Sequence, residues 1–427
     1  MRKISAFPVK SFFIETLVKD ISLHDAILDL VDNSIDSYIK RGLTDKRNID
    51  IDFDETKFVI NDNCGGINRS ELLERVFRFG KTVKEKGRTI SVFGIGLKRA
   101  IFKMGRRIVI ETDDGQNFCS VLIDDDWLKD ESNWELLFNE DTKSTGTKHT
   151  KITITEIYPH ISDELGNTTF QNALLEKIGE TYSVFLEERV IISVNDNIVP
   201  SFDFRFLHDN KCYRPYHKVD NYDGVEVEIY AGYTPDVKDQ GQTYGWFVFC
   251  NDRLVIKNDT SERTGWGGAG ERKYHYPEDN RFLGLIFFRS DDPLSLPWQT
   301  TKSNIQFDSK VYKRAQVEMK SLTRRFVDTI RLAGRTKDPK TQETIGKALF
   351  EGVPSKPREY FAAEHDELMP KVKGIKTFPD TTTIQYQANK SLAMKAKERL
   401  GNQYMSNKTL GEKTFEYFVK MEDLQNE

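Results

Sequence analysis

The stretch DLVDNSIDS, residues 29–37, sets three acids and one asparagine inside nine residues, with no base among them. Leu23, Ile27, Leu30, Val31, Ile35 and Tyr38 recur around it at helical spacing. Ser22 with Asp25 forms a capping-box pattern and Gly42 can end the run, so residues 22–42 read as an amphipathic helix. At 3.6 residues per turn, Asp29 and Asn33 lie roughly 40° apart and Asp29 and Asp36 roughly 20° the other way. All three therefore line one face, with Asp25 and Asp32 close to it. Stacked acids cost roughly a few tenths of a kcal/mol per pair unless something offsets them. The expected offset is a bound cation, since a carboxylate beside a carboxamide suits magnesium. Taken alone, the same face is a solvated acidic surface.

Working outward, Ile49, Ile51 and Phe53 alternate as a strand, and KFVIN (57–61) runs as a second strand into the glycine turn NDNCGGI (61–67). An aspartate leaving a strand into glycines can hold its carboxylate at a pocket floor while the backbone passes close to a ligand. The charged stretch GKTVKEKGRT follows, and then FGIGLKRA (93–100), a glycine turn opening a helix. Backbone N–H groups at Gly94 and Gly96 and the helix N-terminus favour an anion such as phosphate, with Lys98 adding charge. Strands follow at RRIVIET, CSVLI and KITITEI. The order implies an α+β layer, helices on one face of a mixed sheet.

A helix from about 161, further strands (RVIISVNDNIVP, VEVEIYAG, GWFVFCNDRLVI) and a long helix at about 308–333 suggest a second α/β domain. The expected division is 1–160, 161–335 and a linker with a helical C-terminal region, 336–427. The chain has 427 residues, 38% hydrophobic and 30% charged, which permits real cores. No apolar run of about 18 residues exists, so no membrane span is expected. Four scattered cysteines without a C-x-x-C pair, and no signal-peptide pattern, imply a reduced, cytoplasmic protein. A net charge of −4 advertises no global nucleic-acid field. His24 reads as a helix-start surface residue, and TGWGGAGERKYHYP (264–277) as an irregular loop. KTFEYFVKME reads as a packing helix, and the basic residues scattered over 371–413, Arg399 among them, as a solvated surface.

These stretches occur in an order that resembles the GHKL ATPases, which include gyrase B, heat-shock chaperone ATPases, MutL and MORC proteins. Asp29, Asn33, Asp36 and Ser37 stand at the family's E-x-x-x-N-x-x-D-[AS] positions. Asp62, Cys64 and Gly66 stand at D-x-G-x-G, and Gly94, Gly96 and Leu97 at the phosphate turn. Gly146 and Thr147 match a later Gly-Thr, and Gln299, Thr300 and Lys302 of LPWQTTKSNI match a loop that reaches back to the γ-phosphate. The resemblance spans roughly residues 10–330, and its wording is closest to stand-alone prokaryotic MORC/MutL-like members.

It implies a Bergerat-type ATP-binding domain, then a right-handed β-α-β transducer domain and a small helical region. By resemblance, Asp62 accepts from the adenine amino group with support from Thr147, and Asn33 holds Mg2+ bridging the phosphates. The Gly94, Ile95, Gly96, Leu97 and Lys98 backbone cradles the phosphates beneath a lid at about 68–93. Lys302, with Gln299, meets the γ-phosphate, and Asp29 activates water. The implied function is a slow, magnesium-dependent ATPase acting as an ATP-gated homodimer on DNA or a partner protein, in defence against phage or mobile DNA. The alternative is a nucleotide-gated binding protein with little turnover. Two departures stand out. Asp29 replaces a glutamate and withdraws its carboxylate by roughly one C–C bond, about 1.5 Å, and Cys64 replaces a glycine.

Overall fold

The computed structural model describes residues 9–78, 87–91, 94–131, 133–141, 143–208, 213–235, 244–266, 280–299, 301–335, 352–361, 364 and 387–421. Thr300, lid residues 79–86, 92 and 93, most of the 264–277 segment, residues 336–351, and Lys371, Lys373 and Lys376 lie outside these residues. The chain divides into two compact units, Met1–Lys373 and Gly374–Glu427.

Helix α1 (Lys10–Lys19) precedes α2 (Leu23–Lys40), whose first turn is capped by Ser22 accepting from the Asp25 N–H. Ile27, Leu30, Val31 and Ile35 of α2 are fully buried, the apolar stripe its periodicity requires. Strands β1 (Arg47–Phe53) and β2 (Lys57–Asp62) pair antiparallel, with Ile51 opposite Ile60. After a short helix α3 (Arg69–Glu71) come α4 (Gly96–Met104), β3 (Gly105–Asp113), β4 (Phe118–Ile123), α5 (Asp125–Lys129), β5 (Leu137–Asp141) and β6 (His149–Ile157). Helices α6 (Pro159–Leu165), α7 (Thr168–Thr181) and α8 (Ser183–Glu188) divide what the sequence reads as one helix.

Strand β7 (Val190–Val194) then pairs parallel with β1, and β8 (Asn197–Ile198) closes a hairpin on it. The first sheet is thus eight-stranded and mixed, in the order β5-β4-β3-β6-β2-β1-β7-β8. Its last two strands come from sequence assigned above to the second domain. The expected α+β architecture is what the molecule has.

The second sheet joins β10 (Tyr216–Tyr222), β11 (Val225–Tyr233), β14 (Phe282–Arg289), β12 (Gly245–Cys250) and β13 (Arg253–Asp259), in that order. Only β12 and β14 run parallel within it. Among the described residues they are connected through β13 and a 3-10 turn at Glu262–Thr264, and the long helix α9 (Lys310–Arg335) follows β14. Both β12 and β14 are buried almost throughout, as strands covered on both faces must be. Helix α9 covers one face through Tyr312, Met319 and Phe326, and an aromatic cluster around Phe206, Tyr230 and Phe249 fills the other.

Residues 353–361 also pack on this unit. Val353–Ser355 pairs antiparallel with β9 (Phe206–His208), and Phe361 sits edge-on to Tyr230 at 4.9 Å. In the unit Gly374–Glu427, helices α10 (Lys390–Arg399) and α11 (Asn407–Met421) leave Leu392, Phe415, Tyr417 and Phe418 more than half exposed. No helix among the described residues is long and apolar enough to cross a membrane.

Candidate functional site

The acidic face of α2 is not held by solvent, and the offset expected from a bound cation is present as protein cations. Asp29, Asp32 and Asp36 are all buried. Asp32 accepts from Tyr182 Oη at 2.6 Å, Arg253 Nε at 2.9 Å and Lys302 Nζ at 2.7 Å. Burial works to raise this carboxyl, and the Arg253 and Lys302 charges outweigh it, leaving it below the usual carboxylate range. Asp29 Oδ2 accepts from Arg99 Nε, and its Oδ1 lies 3.8 Å from Lys302 Nζ. The acids need no metal for neutrality, because β13, α4 and the 302 loop supply three cations around two carboxylates. Among the described residues no three His, Cys, Asp or Glu side chains group as metal ligands.

Asp36 accepts from the backbone N–H groups of Ile90 and Ser91 at 2.6 and 2.7 Å, fixing the end of the lid segment to α2. Burial raises its carboxyl, partly offset by Lys40 and these donors. That lid end is also tied to the second sheet, with Asn251 Nδ2 donating to the Thr89 carbonyl at 2.8 Å and Arg88 pairing with Glu226 at 2.9 Å. Asn33 is half-buried. Its Oδ1 faces Ser91 Oγ at 3.4 Å, and its Nδ2 is buried without a hydrogen-bond partner.

Asp62 ends β2 at 5% exposure, accepting from Ser34 Oγ at 2.7 Å and from the Cys64 N–H at 2.9 Å. Burial pushes its pKa up to about 6 despite these donors. The glycine turn after it is sterically required at Gly66. There φ is +69° and a Cβ would fall 2.0 Å from the Asp113 carbonyl oxygen. Cys64 is fully buried, and its thiol is raised by burial.

Across the sheet the register partner of Asp62 is Thr150, whose Oγ1 lies 3.2 Å from that of Thr112. Thr147 is exposed in the preceding loop, and its N–H turns to Thr145 Oγ1 at 3.4 Å. Lys148 alone separates Gly146-Thr147 from β6, and within the strand Thr150 holds the register position opposite Asp62.

Gly94 adopts φ +62°, and the first turn of α4 follows with Ile95 at its cap, so the N–H groups of Gly96, Leu97 and Lys98 lack carbonyl partners within the helix. Ile95, Gly96 and Leu97 are half-buried. A Cβ on Gly96 would sit 3.2 Å from Asp29 Cγ, so the turn lies directly against that carboxylate. Lys98 turns its Nζ back onto the carbonyls of Arg78 and Gly94, and burial lowers its pKa to about 8.

The 302 loop is pinched by the Trp298–Ile305 bridge and by Gln299 N–H donating to the Asn304 carbonyl at 2.9 Å. Lys302 sits at φ +55°, a conformation that costs a non-glycine residue about 1–3 kcal/mol and persists only where surroundings enforce it. The enforcing contacts are Arg253 Nη1 on its carbonyl at 3.0 Å and Asp32 on its ammonium. Gln299 is exposed, its Nε2 turned to the loop's own Ile305 carbonyl at 3.5 Å, and does not reach this cluster. His24 is half-buried against Phe170 at 4.3 Å, with its pKa lowered by burial.

Arg99, Arg253, Tyr182 and Thr150 are the cluster members the sequence reading passes over. Arg99 alone carried a signal, as a second base one turn into the phosphate-turn helix.

Residues 21–155 match the family described as histidine kinase-, DNA gyrase B-, and HSP90-like ATPase. No curated protein matches the chain. The matched stretch runs from the residue before the Ser22 cap almost to the end of β6, and contains Asp29, Asn33, Asp62 and the Gly94 turn. That match covers less than half of the chain and supports the GHKL superfamily, whose members are generally ATPases.

Proposed function

We propose that the protein is an ATP-driven conformational switch that hydrolyses ATP slowly and with magnesium. The observation that carries this reading is Lys302. A lysine from a loop after the second sheet, held at φ +55°, brings its ammonium 3.8 Å from Asp29, which itself rests on the glycine turn. Three buried cations stand here around two paired acids, a surplus of positive charge suited to a phosphate group.

In this reading the Asp62 carboxylate accepts from the adenine amino group, with Thr150 and Thr112 beside it. The first N–H groups of α4 hold phosphate oxygens. Lys302 leaves Asp32 to meet the terminal phosphate, and Arg253 stays as the counterion of Asp32. Asp29 takes a proton from the attacking water. Asn33 fits a magnesium site through its amide oxygen, which is only loosely engaged by Ser91, and its buried, unpartnered Nδ2 is left to donate to a phosphate oxygen. Magnesium, when bound, supplies neutralisation of phosphate charge.

We assign nucleotide binding to residues 1–160 together with β7 and β8, transmission to the rest of 161–335, and an accessory role to 336–427. The proposed active form is an ATP-closed homodimer of a cytoplasmic protein acting on DNA or a partner protein, and a MORC-like role in defence is the proposed setting. The second reading, nucleotide-gated binding without turnover, draws on the pairing of Asp29 with Arg99, which occupies one oxygen of the proposed base. Steady-state phosphate release by wild type, Asp29→Glu and Asp29→Asn separates the two. The switch reading expects magnesium-dependent release from wild type and almost none from Asp29→Asn. Tight ATP binding without release by wild type would sink it.

A further inference from the structure

We propose that Arg99 is the positioning residue for the Asp29 carboxylate, the group that makes a short aspartate serviceable as the base. The proposal rests on the ATPase reading above. Asp29 is 3% exposed, and its two oxygens face different surroundings. Oδ2 accepts from Arg99 Nε, and both side chains are buried. Oδ1 has Lys302 Nζ as its cation at 3.8 Å, beyond hydrogen-bond reach. The same oxygen looks onto the glycine turn, where a Cβ built on Gly96 would lie 3.3 Å from it. One oxygen is tied down, and the other is aimed at the place where the α4 N–H groups gather.

Arg99 follows Gly96 by three residues, close to one helical turn. Turn and guanidinium therefore belong to one rigid element, and the distance from carboxylate to turn is set inside α4 instead of through a loop. A glutamate could reach the turn by its own length. An aspartate, shorter by about 1.5 Å, needs its helix drawn to the turn, and the buried Arg99 contact does that. Lys302 and Arg253 do not share the task, because both are engaged by Asp32, at 2.7 and 2.9 Å. The contact is made by Nε, in the plane of the guanidinium. A lysine ammonium falls one atom further along the chain and has no such plane, so it keeps the charge but not the direction.

The test compares wild type, Arg99→Lys and Arg99→Gln in steady-state ATP hydrolysis, equilibrium ATP binding and thermal unfolding. Misplacement by about 1 Å costs roughly a hundredfold in rate, so Arg99→Gln is expected to lose about that much kcat. KM and ATP affinity should stay within about threefold, the pattern of an interaction that matters in the transition state alone. Arg99→Lys should recover part of the loss. A folded, ATP-binding Arg99→Gln with wild-type kcat overturns the proposal, and so does a raised KM at unchanged kcat. Should Arg99→Gln fail to fold, with Asp29 buried and unpaired, Arg99→Lys decides, and an unchanged kcat overturns the proposal. Wild type that binds ATP without turnover overturns this proposal and the ATPase reading together, whereas equal turnover in wild type and variants overturns only this one.

Discussion

Asp62 and Gly66 show how single residues set the limits of the site. The Asp62 carboxyl, raised to about 6 by burial, accepts from an adenine amino group more strongly when deprotonated. ATP affinity should therefore hold at neutral pH and fall as pH drops through about 6. Asp62→Asn should bind weakly throughout and lose that dependence, both read by equilibrium titration. Gly66 tests the backbone. Its missing Cβ would meet the Asp113 carbonyl oxygen at 2.0 Å, so Gly66→Ala should cost stability on the order of 2–4 kcal/mol in denaturant unfolding. Gly146, also at positive φ but with nothing within 4 Å, should lose only about 1 kcal/mol on the same change.

Residues of this kind were legible where the chemistry is local. An aspartate before glycines, or glycines before a helix, carry their geometry in adjacent letters. Thr150 was not legible, because the loop before β6 decides the register and a Gly-Thr pair does not.

At the scale of elements, α2 is joined to the second sheet and the 302 loop through one carboxylate. Asp32 holds Arg253 from 221 positions away and Lys302 from 270 positions away. No period or motif announces partners at such separations, which is why the acid cluster read as a cation site while its cations came from β13, α4 and a loop. Removing one partner of a buried set leaves the others unpaired, so Asp32→Asn should lose about 3–5 kcal/mol of stability. The sign with pH follows from the lowered native value. Asp32 stabilises above the unfolded carboxylate pKa of about 4, and that contribution disappears as pH falls through its depressed native value. Acid unfolding of wild type and Asp32→Asn should accordingly converge at low pH.

For the whole molecule, both sheets and their helices were expected from alternating strands and helical runs. The return of β7 and β8 to the first sheet was not, since a parallel pairing leaves no hairpin signal in the sequence. The segment 353–361, which pairs with β9 and seats Phe361 among aromatics, likewise looks like linker until the sheet beneath it is known. The lid end is tied to α2 by Asp36 and to the second sheet by Asn251 and Arg88, so nucleotide contacts on one side can be felt on the other. A non-hydrolysable ATP analogue with magnesium should convert monomer to dimer in sedimentation. An unchanged monomer would count against the gated dimer while leaving ATP binding intact.

The central claim is that Lys302 completes the nucleotide site, and its most direct test is magnesium-dependent phosphate release by Lys302→Met beside wild type, with ATP affinity measured on both. Loss of one preorganised charge at a transferring phosphoryl group costs about a hundredfold or more in turnover. That loss, with affinity changed only a few-fold, is the expected result. A folded Lys302→Met that binds ATP and releases phosphate at the wild-type rate would contradict it.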